Sequence, residues 1–245
     1  MPNATPPDDS GTFGRLNRLD LAAMRRNYGQ LPELGDDAAG ADGLAGNLDP
    51  AWCAGEPPWL SLFERWLAEA IAADIPEPNA MVLGTVDADG FPSTRTVLCK
   101  GADADGVVFF TGYDSAKGRD LAVNPVAAVT FPWIAMERQV HVRGPVVRVS
   151  AQASDAYWNA RPRGSQVSAS ASQQSRPIGS RAELEAAAAH LDGELGDQVP
   201  RPADWGGYRI MPAVVEFWQG RANRLHNRVR LTRADGGWDI ARLQP

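Results

Sequence analysis

AMVLGTVDADGFPSTRTVLCK, residues 80–100, is where the periodicity of the chain changes from helix to strand. Both arms are rich in β-branched residues and they flank Asp-Ala-Asp-Gly, a combination that predicts a hairpin. GVVFFTG (106–112) follows a second Asp-Gly turn. VAAVTFPW (126–133) and RQVHVRGPVVRVS (138–150) read as further strands, and their short connection makes them antiparallel neighbours. GYRIMPAVVEFWQG (207–220) and a last hairpin, RVRLTRADGGWDIARL (228–243), complete the series. Helical patterns surround it. PWLSLFERWLAEAIAADIP (58–76) sets Leu60, Phe63, Leu67, Ala70 and Ile71 on one stripe and ends near Pro76. SAKGRDLAVNP (115–125), SAQASDAYWNARP (150–162) and SRAELEAAAAHLDGEL (180–195) are also helical, the last with Ser180 and Glu183 at capping-box spacing. Six or more antiparallel strands in short succession with helices outside predict a mainly β fold with α decoration, a β-barrel.

We expect one folded domain over 59–245. Residues 1–58 read as an N-terminal tail that is disordered to about residue 14, a short helix LDLAAMRRNYG (19–29), and a mobile acidic loop rich in Gly, Ala and Asp. At 245 residues and 44% hydrophobic the chain can bury a substantial core. Its formal net charge of -6 argues against general binding to nucleic acid or to a membrane surface. An anionic ligand must therefore meet a local cluster of cations. Cys53 and Cys99 have no metal-type spacing, and Cys99 lies in an apolar run as a buried small hydrophobe would. The N-terminus has no basic and apolar leader pattern, and no stretch approaches membrane-spanning length, so the expected setting is the cytoplasm.

Four stretches concentrate the cations. In STRTVLCK (93–100), Arg95 and Lys100 face opposite ways on a strand and need not serve the same anion. FFTGYDSAKGRD (109–120) runs a strand into a helix through Thr111, Ser115 and Lys117, which suits either a phosphate seat or an ordinary N-cap. In AYWNARPRGSQ (156–166), Tyr157 and Arg161 share a helix face, with Ser165 expected in the turn beyond. A phenol, a guanidinium and a hydroxyl so gathered suit a phosphate monoester; pairing of Arg161 to a carboxylate is the alternative. RANRLHNRVR (221–230) follows EFWQG (216–220). If extended, it turns Arg224, His226 and Arg228 to one face, as a ligand surface beside Trp218 or as a solvated edge strand would.

LFERW, AMVLGTVDADG, RTVLCK, NPVAAVTFPW, ERQVHVRG, RPRGSQ, QQSRPI, WGGYRI and EFWQGRANRLHNR, in this order, resemble the pyridoxine/pyridoxamine 5'-phosphate oxidase family. The resemblance implies an FMN-binding split β-barrel acting as a homodimer, with each flavin at the interface. It implies FMN contacts from Arg95, Thr96, Val97, Leu98, Cys99, Lys100, Phe110, Thr111, Lys117, Gln139, Gln174, Ser175, Trp218 and Arg228. It assigns the substrate to Arg25, Arg26, Asn27 and Tyr28 of the N-terminal segment, to Lys100, Tyr157, Arg161 and Ser165 for its phosphate, and to Arg224, Leu225 and His226 for its ring. Arg224 and His226 are the candidates for catalytic assistance. The implied reaction oxidises pyridoxamine or pyridoxine 5'-phosphate to pyridoxal 5'-phosphate, with O2 reduced to hydrogen peroxide. A phenazine-type flavin oxidase and a non-catalytic flavin or pyridoxal-phosphate carrier are the rival readings. The sequence departs from the family pattern at Ala116, where an arginine is common and Arg119 is the nearest substitute. It departs also at Glu77 and in the acidic insertion after Tyr28, and SASAS (168–172) lacks a frequent tryptophan.

Overall fold

The structure, a computed structural model, describes residue 28 and residues 46–245. The hairpin forms where expected: β1 (Ala80–Val86) pairs antiparallel with β2 (Pro92–Leu98), Leu83 opposite Arg95. β3 (Gly101–Asp103), β4 (Gly106–Gly112), β5 (Val126–Trp133) and β6 (Arg138–Arg148) follow, then β7 (Trp205–Ile210), β8 (Val214–Gln219), β9 (Asn227–Ala234) and β10 (Gly237–Leu243). They make one antiparallel sheet ordered β10-β9-β8-β6-β5-β1-β2, to which β7, β4 and β3 attach through β6. β6 is the joint. Its residues 138–143 pair with β8, while Val146–Arg148 pair with β7. At the change of partner the β7–β8 connection passes so close that a Cβ on Gly144 would stand 1.9 Å from the Met211 carbonyl oxygen, so only glycine fits. The sheet therefore curls and splits, and the architecture is the mainly β split barrel that the sequence predicts.

Alternation fills the interior: Met81 and Leu83 from β1, Val129 and Phe131 from β5, Val215 and Phe217 from β8, Val229 and Leu231 from β9 are all fully buried. α1 (Leu60–Ala72) closes the barrel, but with a rotated stripe. Leu62, Phe63, Trp66 and Ala70 face the core, whereas Ile71, expected there, is 59% exposed. Trp66 sets the rotation: its ring meets Phe217 edge-on at 5.3 Å and carries the Arg138 guanidinium at 4.5 Å. Burying an indole outweighs burying Ile71. The buried Arg138 also pairs with Glu69 of α1.

Residues 46–58, expected in the mobile loop, are packed instead. Leu48 is fully buried and its N–H donates to Gln219 Oε1 at 2.8 Å, while Gln219 Nε2 donates to the Gly46 carbonyl at 2.9 Å. The folded body thus begins before residue 59. Periodicity cannot find such a strap, because its order comes from hydrogen bonds made by the barrel to its backbone. The expected helix at 19–29 lies outside the described residues apart from Tyr28.

α2 (Ala116–Val123), α3 (Ala151–Ala160) and α5 (Arg181–Glu194) appear as expected, α5 with Ser180 Oγ accepting from the Glu183 N–H at 3.1 Å. α4 (Arg163–Ala171) was not expected, and it takes Ser165 out of a turn and into a helix. RGSQVSASA buries only Gln166 and Val167, too few apolar positions for a visible period. Trp158, Val167, Val199 and Trp205 form a second, smaller core beneath α3 and α4. No helix among the described residues is long and apolar enough to cross a membrane, and none of their His, Cys, Asp and Glu side chains cluster as metal ligands.

Candidate active site

A cleft of about 1060 Å3 opens where β2 and β4 end, walled by the start of α2 and by α3, α4 and the 172–176 segment. Of the expected site residues, Thr96, Val97, Leu98, Lys100, Phe110, Thr111, Tyr157, Arg161, Ser165 and Gln174 line it. Gly207 on β7 lets Phe110 lie flat, since a Cβ there would meet the ring at 2.8 Å. Phe110 stacks on Tyr157 at 4.1 Å. Ser115 caps α2, accepting from the Gly118 N–H at 3.2 Å and donating to the Gly112 carbonyl at 2.7 Å. Beneath it the buried Lys117 ammonium donates to Thr111 Oγ1 at 3.1 Å and to Ser115 Oγ at 3.4 Å. Burial, helped by the charge of Arg95 and opposed by Asp120, pushes the Lys117 pKa down to about 8.

Arg95 does not line the cleft. Its Nη1 donates to Thr85 Oγ1 at 2.5 Å and its Nη2 lies 3.7 Å from Asp120, so it supports the floor from behind. Cys99 is buried, its thiol 3.3 Å from the Gly101 carbonyl, with its pKa raised by burial. Gln174 accepts from Thr111 Oγ1 at 3.0 Å and from the Gly112 N–H at 3.2 Å; Ser175 beside it holds a left-handed φ of 70°. Arg119 does not replace the arginine missing at Ala116: it is exposed, tied to the Asp114 carbonyl and outside the cleft lining.

Arg161 ends α3 in extended conformation and leans on two indoles, 4.8 Å from the Trp205 centroid and 5.1 Å from that of Trp158. Its Nη1 is buried with no hydrogen-bond partner. No carboxylate pairs with it among the described residues, which removes the alternative reading of Arg161.

The other expected residues lie elsewhere. Gln139, Trp218 and Arg228 stand in one cross-strand row over β6, β8 and β9. The His226 ring is 4.7 Å from Trp218, and the Tyr28 ring is 5.9 Å from Trp218 and 5.2 Å from His226. The Arg221 N–H donates to His226 Nδ1 at 3.0 Å. A backbone N–H only donates, so Nδ1 carries the lone pair and the ring proton sits on Nε2. Burial first, then the charge of Arg224, lowers the His226 pKa, against the pull of Glu137, and so favours the neutral ring. Arg25, Arg26 and Asn27 lie outside the described residues.

RANRLHNRVR is only partly extended. Asn223 and Arg224 adopt left-handed φ values of 55° and 61° in a short turn, so alternation begins at Asn227 and both Arg224 and Leu225 are exposed. Nor is β9 an edge, since β8 and β10 flank it. Arg228 and Arg230 clamp the buried Glu216: Arg228 Nη2 reaches Oε1 at 2.7 Å and Arg230 Nη2 reaches Oε2 at 2.8 Å. Part of this charge cluster is thus a structural clamp. Gln139, Trp218, Arg224, Leu225, His226 and Arg228 do not line the cleft. Trp205, Glu216 and Arg221 went unmarked by sequence reasoning; their roles depend on partners distant in the chain or on a backbone N–H, which no local pattern encodes.

The structure is a split barrel whose cleft gathers cations and stacked aromatic rings, a class of fold suited to an aromatic, anionic ligand. Residues 67–193 match the family profile described as Pyridoxamine 5'-phosphate oxidase, and residues 205–245 match the Pyridoxine 5'-phosphate oxidase C-terminal dimerisation region. A relative from Rhodococcus jostii (strain RHA1), named pyridoxine/pyridoxamine 5'-phosphate oxidase, is 55% identical over 92% of this chain and 99% of its own length. One of the same name from Mycolicibacterium smegmatis is 52% identical over 98% and 99%. Among solved structures, PhzG from Burkholderia lata 383 in complex with tetrahydrophenazine-1-carboxylic acid is 34% identical, with a TM-score of 0.77 over 83% of this chain and all of that one. A pyridoxamine 5'-phosphate oxidase-related, FMN binding protein from Nostoc punctiforme, 18% identical with a TM-score of 0.66, shares the fold. The chain belongs to the pyridoxine/pyridoxamine 5'-phosphate oxidase family and is an oxidase.

Proposed function

We propose that the chain binds FMN and oxidises pyridoxamine and pyridoxine 5'-phosphate to pyridoxal 5'-phosphate, in a site completed by two protomers. The observation that carries this reading is the division of the expected residues into two groups, one gathered at the cleft and one at the Trp218–His226 face, outside the cleft lining. A C-terminal dimerisation region, which includes Trp218, His226 and Arg228, supplies the means to bring one protomer's face to its partner's cleft.

The residues fit a phosphate-bearing flavin. The buried Lys117 ammonium is hydrogen-bonded only to hydroxyls and shares its floor with Arg95, so one nearby carboxylate, Asp120, faces two cations and leaves a positive charge that an anion would balance. In this reading Lys117, Ser115 and Thr111 hold the FMN phosphate with Arg95 behind them. Gln174, Ser175 and residues 96–100 would supply its remaining contacts from this protomer. Lys100, Tyr157, Arg161 and Ser165 hold the phosphate of the substrate, Arg161 through forked donors. Gln139, Trp218 and Arg228 of the partner's face complete the flavin contacts, while Arg224, Leu225, His226 and the Tyr28 segment enclose the substrate ring. His226, neutral with its proton on Nε2, donates a hydrogen bond and does not act as the base. Arg224 orients the ring.

Bound FMN would supply the redox chemistry, as acceptor of a hydride from the substrate and donor of two electrons to O2, which leaves as hydrogen peroxide. The alcohol yields the aldehyde directly, and the amine yields an imine that water hydrolyses with loss of ammonia. The protein contributes binding and orientation. Adding pyridoxamine 5'-phosphate to the purified yellow protein under air should release peroxide and pyridoxal 5'-phosphate in equal amounts. A protein that retains FMN but turns over neither substrate is a carrier, and the proposal then fails.

A further inference from the structure

We propose that Trp205 is a positioning residue for the substrate phosphate: it seats the Arg161 guanidinium on its indole face, backed by Trp158, and leaves the donors of that arginine uncommitted. The inference rests on the reading of Arg161 as the phosphate grip and adds the means by which a lone arginine is held ready.

Two arginines on one short segment make the contrast. Arg163 is saturated: its Nε donates to Asp192 Oδ1 at 2.9 Å, and its Nη groups reach the Asp192, Leu195, Gly196 and Asp197 carbonyls at 2.8 to 3.3 Å. It fastens α4 to the end of α5 and has nothing left for a ligand. Arg161, two residues earlier, lines the cleft with no carboxylate partner and with its Nη1 buried and unbonded. A carboxylate would fix its position, but would also cancel its charge and occupy the fork that a phosphate needs. An aromatic face avoids that conflict, because cation–π attraction acts through the flat face of the guanidinium and leaves the edge N–H groups free.

The seat is itself fixed. Trp205 is 7% exposed, and its carbonyl accepts from Arg201 Nη1 at 2.5 Å. Its ring runs nearly parallel to Phe110 (5.6 Å, 15°) and Tyr157 (6.2 Å, 8°), and Trp158 closes it edge-on at 4.7 Å. Trp158 is fully buried, with Nε1 donating to the Val199 carbonyl at 2.8 Å. The second core therefore serves as the rigid bed of one functional cation, and Arg161 loses little freedom when it meets a phosphate.

The test measures KM and kcat for pyridoxamine 5'-phosphate, and independently the affinity of the flavin-free protein for pyridoxal 5'-phosphate by calorimetry. Trp205→Leu should raise KM and weaken that binding about three- to tenfold with kcat and flavin content unchanged, and Trp205→Phe by less than half as much. In the Arg161→Ala background Trp205→Leu should add nothing, and Arg161→Lys should not rescue, because an ammonium lacks the flat face. Should Trp205→Leu fail to fold, site-specific fluorinated tryptophans at 205 keep the ring shape while draining its π charge, and KM should climb with each fluorine. A flat fluorine series, or an unchanged KM for Trp205→Leu while Arg161→Ala raises it, overturns the seat. An unchanged KM for Arg161→Ala itself overturns the phosphate-grip reading beneath it.

Discussion

The cleft and the Trp218–His226 face are both cationic, yet they handle charge in opposite ways. At the face, Arg228 and Arg230 share the buried Glu216, and Arg221 is spent on Asn47 and on the Gly46 and Gly220 carbonyls. At the cleft and the floor beneath it, Lys117 is hydrogen-bonded only to hydroxyls, with Asp120 shared between it and Arg95, and Arg161 leans on indoles alone. Counting basic residues would rank the face first, with four arginines in RANRLHNRVR. Counting unneutralised ones ranks the cleft first. In a protein of net charge -6, a desolvated cation with no carboxylate in contact is the better mark of an anion site, because its desolvation is only partly compensated within the fold.

The sharpest way to break this comparison is to remove one cation from each side. Arg161→Ala should raise KM for pyridoxamine 5'-phosphate about ten- to a hundredfold, the equivalent of roughly 1.5 to 3 kcal/mol for a charge-assisted contact, with flavin content intact. Arg230→Ala should leave KM and flavin affinity near wild type, since Arg230 belongs to the clamp. Steady-state peroxide production reads both; equal effects would erase the distinction drawn here.

Next in size are the two arginines at opposite ends of the RLHNR turn. Arg224→Ala should keep full flavin occupancy but slow anaerobic flavin reduction about tenfold or more, because the substrate ring loses its orientation. Arg228→Ala should weaken FMN binding instead, with activity recovered by excess FMN, while Glu216 stays paired to Arg230. Stopped-flow reduction and flavin titration separate them, and swapped phenotypes would reverse the assignment.

Lys117 gives a smaller effect with a diagnostic sign. Its pKa is lowered to about 8 in the folded chain from 10.5, so between those values the unfolded chain binds a proton that the folded chain does not. On this group's account the flavin-free protein gains stability as pH rises through that window and is penalised below it. Lys117→Met should stabilise the flavin-free protein by about 1 to 3 kcal/mol at pH 7 while weakening FMN binding. FMN uptake near pH 8 to 9 should draw in protons, since the phosphate restores the ammonium. Denaturant melts and calorimetry in buffers of different ionisation enthalpy read both, and a destabilised variant would mean that the ammonium is already balanced.

The strands were legible in the sequence because their cues are local: β-branched runs of the right length, bounded by Asp-Gly turns. The spacing of Tyr157 and Arg161 was legible for the same reason, a helix putting positions four apart on one face. What the sequence hid depends on distant partners. The α1 stripe turned because Trp66 met Phe217 and Arg138, α4 carried too few buried positions to show a period, and residues 46–58 are ordered by Gln219 and Arg242. Half of the RLHNR alternation failed because Asn223 and Arg224 turn left-handed.

The division of the site between two protomers is tested most directly by subunit complementation. Arg161→Ala disables the cleft and Arg224→Ala disables the face, so each homodimer should be weak at both of its sites. When the two variants are unfolded together and refolded, hybrids form in which one site receives an intact cleft from one protomer and an intact face from its partner. A random mixture should recover about a quarter of the wild-type sites, half of the dimers being hybrid with one intact site each. Recovery toward that level, absent when either variant is refolded alone, is the predicted result. Activity that stays at the mean of the two parents would mean that each chain builds its whole site from its own residues, and would contradict the account.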